Sequence, residues 1–211
     1  MNEPILYLLL AVFVGATVAL FWILAKQGAD RIAAQYRLLA GRFGLELSEP
    51  PARMLGFFRT EPFVHGIWRG REMSISAPGK GLQNTRQMET VLKMELRLQD
   101  FRLQGTAAGL LGRFRQRDSS AKGRWMSGDA DFDAAVDLRT SDPARTEQVF
   151  TPERRERLAE LLKGGKSTLY VSKGVMAFTD FGLIANDATR ERFERVAAFL
   201  DELAQAFERA A

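Results

Sequence analysis

Hydrophobic positions along this chain follow three different rhythms. From Ile5 to Ala25 they form one charge-free block, ILYLLLAVFVGATVALFWILA. As a helix that block would reach roughly 31 Å, about the hydrocarbon thickness of a bilayer. Between 29 and 43 they recur at helical spacing, with Ile32, Tyr36, Leu39 and Phe43 on one stripe and Arg31, Gln35 and Arg42 off it. Further on they alternate. Thr90, Leu92, Met94, Leu96 and Leu98 interleave with Val91, Lys93, Glu95 and Arg97, which predicts a strand with one wet face. Ala130, Phe132, Ala134, Val136 and Leu138 interleave with Asp131, Asp133, Asp137 and Arg139, which predicts another.

Punctuation residues divide what lies between. Gly28 loosens the exit from the first block, and Gly44 with Pro50-Pro51 ends the second helix. Short apolar runs follow at Leu55 to Phe58, Phe63 to Trp68 and Glu72 to Ala77, the last two joined by a hairpin turn at Arg69-Gly70-Arg71. Thr151 is placed to cap a helix with Pro152 at its first position, running to about Leu162 before Gly164-Gly165. A second hairpin is expected around Lys173-Gly174. Asn186 or Asp187 then caps a final helix with Phe193, Val196, Ala197, Leu200, Ala204 and Phe207 on one face.

Hairpins with helices between them define an α+β class: one N-terminal transmembrane helix, then a mostly antiparallel sheet domain with packed helices. The expected organisation is a short tail at 1–4, the transmembrane helix at 5–25 and a juxtamembrane amphipathic helix at 26–43. A globular domain at 44–211 follows, its halves (about 44–101 and 125–211) joined by a basic excursion at 102–124.

Flanking charge sets the expected orientation. Lys26, Arg31, Arg37 and Arg42 follow the apolar block and no Lys or Arg precedes it. The positive-inside bias therefore predicts an N-terminus outside and a cytoplasmic domain at an inner or plasma membrane. A cleavable signal peptide would want a basic n-region, a shorter core and an Ala-x-Ala site, and none is present. Ala11, Gly15 and Ala19 lie four apart, a small-residue stripe through which two spans can pair as a homodimer.

Composition changes this picture little. The chain is 27% charged and 46% hydrophobic with a formal net charge of +4, ordinary for a globular domain. The positive charge concentrates between Arg102 and Arg124. There Leu110, Leu111 and Phe114, beside Arg113, Arg115 and Arg117, form the pattern of a short basic amphipathic helix. On the cytoplasmic side such a segment fits anionic lipid at the membrane surface. Nucleic acid fits poorly, because stacking aromatics beyond Phe101, Phe114 and Trp125 are sparse.

Several motifs imitate chemistry. Gly164-Gly165-Lys166-Ser167-Thr168 resembles the end of a phosphate-binding loop, yet Glu160 holds the position that needs glycine and a helix leads into a strand. Asp180-Phe181-Gly182 copies a kinase metal-binding tripeptide without the other kinase segments. Asp129-x-Asp131-x-Asp133 starts like a calcium loop but carries Ala134 and Thr140 where Gly and Glu are required. His65 is the only histidine and there is no cysteine, so no metal site or cofactor is expected. These patterns point to a non-catalytic binding or scaffold module for a protein partner or the membrane surface. The competing reading is a membrane-tethered enzyme using surface carboxylates such as Asp131 and Asp133.

Overall fold

The computed structural model describes residues 3–50, 61–78, 89–109 and 123–211. The expected apolar run at Leu55 to Phe58 falls outside them.

Helix α1 (Glu3–Phe43) is a single helix of 41 residues. The break expected at Gly28 does not occur: a side chain there would meet nothing within 4 Å, and helical residues continue on both sides. Isolated glycine in an otherwise good helix costs only about 1 kcal/mol. The described side chains of the apolar half are not buried, and this helix alone among the described residues is long and apolar enough to cross a membrane. Its last turns behave differently. Ile32, Tyr36, Leu39 and Phe43, the stripe read from sequence, are buried in the domain core.

The domain is built on one antiparallel sheet of nine strands in the order β1-β2-β3-β4-β9-β8-β5-β7-β6. In chain order these are Glu46–Ser48, Phe63–Trp68, Arg71–Ser76, Glu89–Glu95, Leu103–Ala107, Gly123–Trp125, Val136–Thr140, Ser167–Ser172 and Val175–Phe181. Both predicted hairpins form. Arg69 and Gly70 have φ of 51° and 77°, and Lys173 and Gly174 have 50° and 74°. Two consecutive left-handed residues are the turn whose twist matches that of paired strands.

A row of residues crosses eight of the nine strands in register: Val64, Ile75, Leu92, Phe178, Leu169, Gly105, Leu138 and Trp125. Helices cover that face. The long C-terminal helix (Asp187–Arg209), α5 below, presents the predicted stripe from Phe193 to Phe207 to it, and Asn186 caps it by accepting from Thr189 N at 2.9 Å. Before it, α4 (Pro152–Leu162) lies over Gly105, where a Cβ would come within 3.0 Å of Leu138 Cδ1 and 3.6 Å of Leu162 Cδ1. Thr151 stands at the cap position of α4 but makes no side-chain cap.

Three sequence readings change. The strand expected from Ala130 is a short helix as far as Ala135, α2 (Ala130–Ala135), and only then strand β7. Asp129 causes this by accepting from the backbone N–H groups of Asp131 and Phe132 at 3.1 and 3.2 Å, as helix caps do. Leu103–Ala107, assigned to the basic excursion, is the buried strand β5, paired on both sides. A helix that periodicity does not signal, α3 (Pro143–Val149), is capped by Asp142 accepting from Arg145 N at 3.0 Å.

The direction of α1 gives the domain a near and a far end. Tyr36 lies beside Glu61 and Thr90, whereas seven residues on, Phe43 packs edge-on against Trp68 at 5.0 Å. Helix α1 thus runs along β2. It first meets the sheet end where β3, β5 and β9 finish and β4, β7 and β8 begin. Helix α5 starts at this near end, with Gln35 Nε2 donating to Asp187 Oδ1 at 3.2 Å. It finishes at the far end, where Arg69 pairs with Asp201 at 2.9 Å.

Candidate functional site

The described residues singled out from sequence form no common site. Ala11, Gly15 and Ala19 lie on the exposed part of α1, and a side chain at Gly15 would meet nothing within 4 Å. Leu110, Leu111, Arg113, Phe114, Arg115 and Arg117 lie outside the described residues. His65 faces out from β2, stacked on Phe63 at 5.4 Å, and no group of three or more His, Asp or Glu able to hold a metal occurs among the described residues.

The imitated motifs have structural work. Gly164 and Gly165 adopt φ of 88° and 67° to end α4, and Gly165 N donates to Leu162 O at 3.2 Å. This is a helix terminus and not a phosphate cradle. Asp180 accepts from Ser167 Oγ and Arg192 Nε, each at 2.9 Å, and from Phe181 N at 3.0 Å. Arg192 also donates to Leu161 O at 2.6 Å, so this group latches α5 to the start of β8. Asp131 and Asp133 do not converge. Two residues apart on a helix, they point to different sides: Asp131 is exposed, while buried Asp133 accepts from Ser127 N and Oγ at 3.0 Å.

What the fold does assemble is a cleft of about 1090 Å³ between α2 and α4. Its floor is small and apolar: Ala107 and Ala108 from the end of β5, Phe132, Ala134 and Ala135 from α2, and Ala159 from α4. Asp129, Asp131, Glu153, Glu156 and Glu160 stand around it, with Lys163 the one cation of the lining among the described residues, 3.6 Å from Glu160. A hydrogen bond from Thr151, aided by the backbone N–H at the start of α4, holds the Glu153 carboxyl below its ordinary range. The cleft runs along α4: its Lys163–Gly165 end lies at the near end, beside the end of β5 and the start of β8, whereas Pro152 and Glu153 lie toward the far end, next to Arg154, which pairs with Glu202. The sequence carries one trace of it: Glu153, Glu156 and Glu160 fall at i, i+3 and i+7, an acidic stripe on one helix face. Its other wall was hidden by reading α2 as strand.

A second groove of about 580 Å³ runs over the outer face of the sheet past His65, Ser74, Lys93 and Val175. Near α1, burial lifts the Glu61 carboxyl above its ordinary range.

No protein-family model matches the chain, and no curated protein sequence matches it significantly. Its fold is similar to that in the crystal structure of the mycobacterial trehalose monomycolate transport factor A, TtfA. The TM-score is 0.52 at 10% sequence identity, covering 83% of this chain and 95% of that one. At that identity the likeness is one of fold.

Proposed function

We propose that this chain is a single-pass membrane-anchored protein whose α+β domain sits on the cytoplasmic side and acts as a non-catalytic binding or scaffold module. One observation carries the reading: helix α1 is exposed over its apolar half and buried in the domain core over its last turns, with no break between. Membrane anchor and domain are thereby one rigid piece. Ile32, the first docked residue, follows Ala25 by only about 10 Å of helix, so the near end lies against the membrane surface. The positive flank after the span supports the cytoplasmic side.

Binding is favoured over catalysis by the cleft itself. Its carboxylates Asp131, Glu153, Glu156 and Glu160 are exposed and spread around an alanine-rich floor, and Asp131 and Asp133, the pair an acid–base reading would use, point to different sides. The fold likeness to a transport factor agrees with an accessory role beside a membrane transport system, without carrying over what that factor handles. The test is sidedness. The chain has no cysteine, so Ala211→Cys adds a unique thiol at the exposed C-terminus. A membrane-impermeant maleimide should label it only after lysis. Labelling of intact cells, or of cells with only an outer barrier opened, would reverse the orientation.

A further inference from the structure

We propose that the cleft between α2 and α4 docks the Lys/Arg-rich cytoplasmic segment that flanks a transmembrane helix of another membrane protein. This rests on the cytoplasmic reading above. Three observations converge on it. One end of the cleft, at Lys163, Gly164 and Gly165, lies at the near end, which α1 carries toward the membrane surface. Its rim is acidic, with Asp131, Glu153, Glu156 and Glu160 exposed. Its floor is made mainly of alanines (Ala107, Ala108, Ala134, Ala135 and Ala159), with Phe132 its one large side chain among the described residues, which leaves room for a helix.

Anionic lipid does not suit such a rim. The cytoplasmic leaflet is negatively charged and would repel these carboxylates. A cationic protein segment suits it well, and the positive-inside bias places such segments at this depth beside cytoplasmic ends of spans. A short amphipathic helix would set its apolar side on the alanine floor and its basic side against the rim, the usual helix-in-groove arrangement.

The experiment uses the full chain in uncharged phosphatidylcholine nanodiscs, so that lipid does not compete for the probe. The probe is a synthetic amphipathic peptide of leucine and arginine, with a leucine–glutamate peptide of equal length as control. The arginine peptide should bind and the glutamate peptide should not. Glu153→Lys with Glu156→Lys should weaken binding at least about tenfold, and the milder Glu153→Gln with Glu156→Gln by less, since charge attraction is lost before it is reversed. Ala135→Trp, which fills the floor, should also weaken it about tenfold. Circular dichroism matching the wild type keeps the variants interpretable.

Unchanged affinity in the lysine variant overturns the proposal. So does loss in the lysine variant with full affinity in Ala135→Trp, which would mean attraction to surface charge without a groove. If the lysine variant instead turns a dimer into a monomer with no peptide present, the cleft belongs to a second copy and the partner named here is wrong. Labelling of Ala211→Cys in intact cells would overturn the partner while leaving peptide binding in nanodiscs intact, so the two failures are told apart.

Discussion

Arg71 and Glu208 meet in a two-pronged pair at the far end of the domain. Nη1 and Nη2 of Arg71 donate to Oε1 and Oε2 of Glu208 at 2.6 and 2.8 Å. Arg71 belongs to the core-facing side of β3 and is buried under the end of α5, where its Nε also lies 3.5 Å from Oδ1 of buried Asp201. Planar guanidinium and carboxylate fit each other edge to edge, so the pair fixes the roll of α5 as well as its distance from the sheet.

Among the described residues, removing the arginine leaves buried Asp201 with Arg69 and Gln205 as its partners. Arg71→Met should therefore cost about 3 kcal/mol, the lower range for breaking a buried ion pair. Glu208→Gln should cost less, because Glu208 is partly exposed and the amide still accepts one bond. Urea unfolding followed by tryptophan fluorescence measures both. Equal, small effects would show that water already reaches the pair.

Acid should act through the same contact. The hydrogen bond from Arg71 holds the Glu208 carboxyl below its ordinary range. A carboxyl depressed in the folded state contributes stability above its unfolded value, about pH 4.3, and loses it as pH falls through the folded value. Stability should decline below about pH 4.3 in the wild type, and Glu208→Gln should flatten that decline. A parallel decline in both would assign the acid limb to other carboxylates such as Glu202, which Arg154 and Arg157 pair.

Alkali should act where α1 docks. Burial holds the Tyr36 phenol well above its ordinary range, against a smaller opposing effect of Thr90, and among the described residues its hydroxyl has no partner in hydrogen-bonding geometry. Thr90 spends its own proton on Gly182 O at 2.7 Å. A raised folded value means stability is complete below the unfolded value, about pH 10, and lost as pH rises beyond it. Tyr36→Phe should change stability at pH 7 by less than about 1 kcal/mol and reduce the alkaline loss. A large loss at pH 7 would mean the hydroxyl has a bridging water.

The stripe of Ala11, Gly15 and Ala19 is open on the exposed part of α1. Gly15→Leu should lower self-association of the span in a membrane reporter assay if close backbone approach drives pairing. An unchanged signal would leave the stripe as ordinary composition.

Legibility followed how strongly each element depends on its own residues. The α5 stripe, both hairpin turns and the core-facing stripe of α1 were readable, because periodicity and turn chemistry act locally. Strand β5 was not: Leu103-Gln104-Gly105-Thr106-Ala107 carries little β signal, and Gly105 is there for the tight approach of Leu138 and Leu162. Alternation at 130–135 misled because alanine weighs little on either face, whereas the Asp129 cap decides the local backbone. The cleft was hidden for the same reason, since it needs α2 as a wall. Its acids were visible, but the register that gathers them around alanines is a property of the assembled sheet.

An uninterrupted helix is a stiff shaft. With α1 continuous from Glu3 to Phe43, azimuth passes from one half to the other without slack. At about 100° per residue, the face holding Ala11, Gly15 and Ala19 lies roughly a quarter turn from the face holding Ile32, Tyr36, Leu39 and Phe43. Two shafts touching along the first face would carry their domains clear of the seam. One residue inserted between 26 and 31 would swing each domain about 100° around the shaft, and with it the direction the cleft faces.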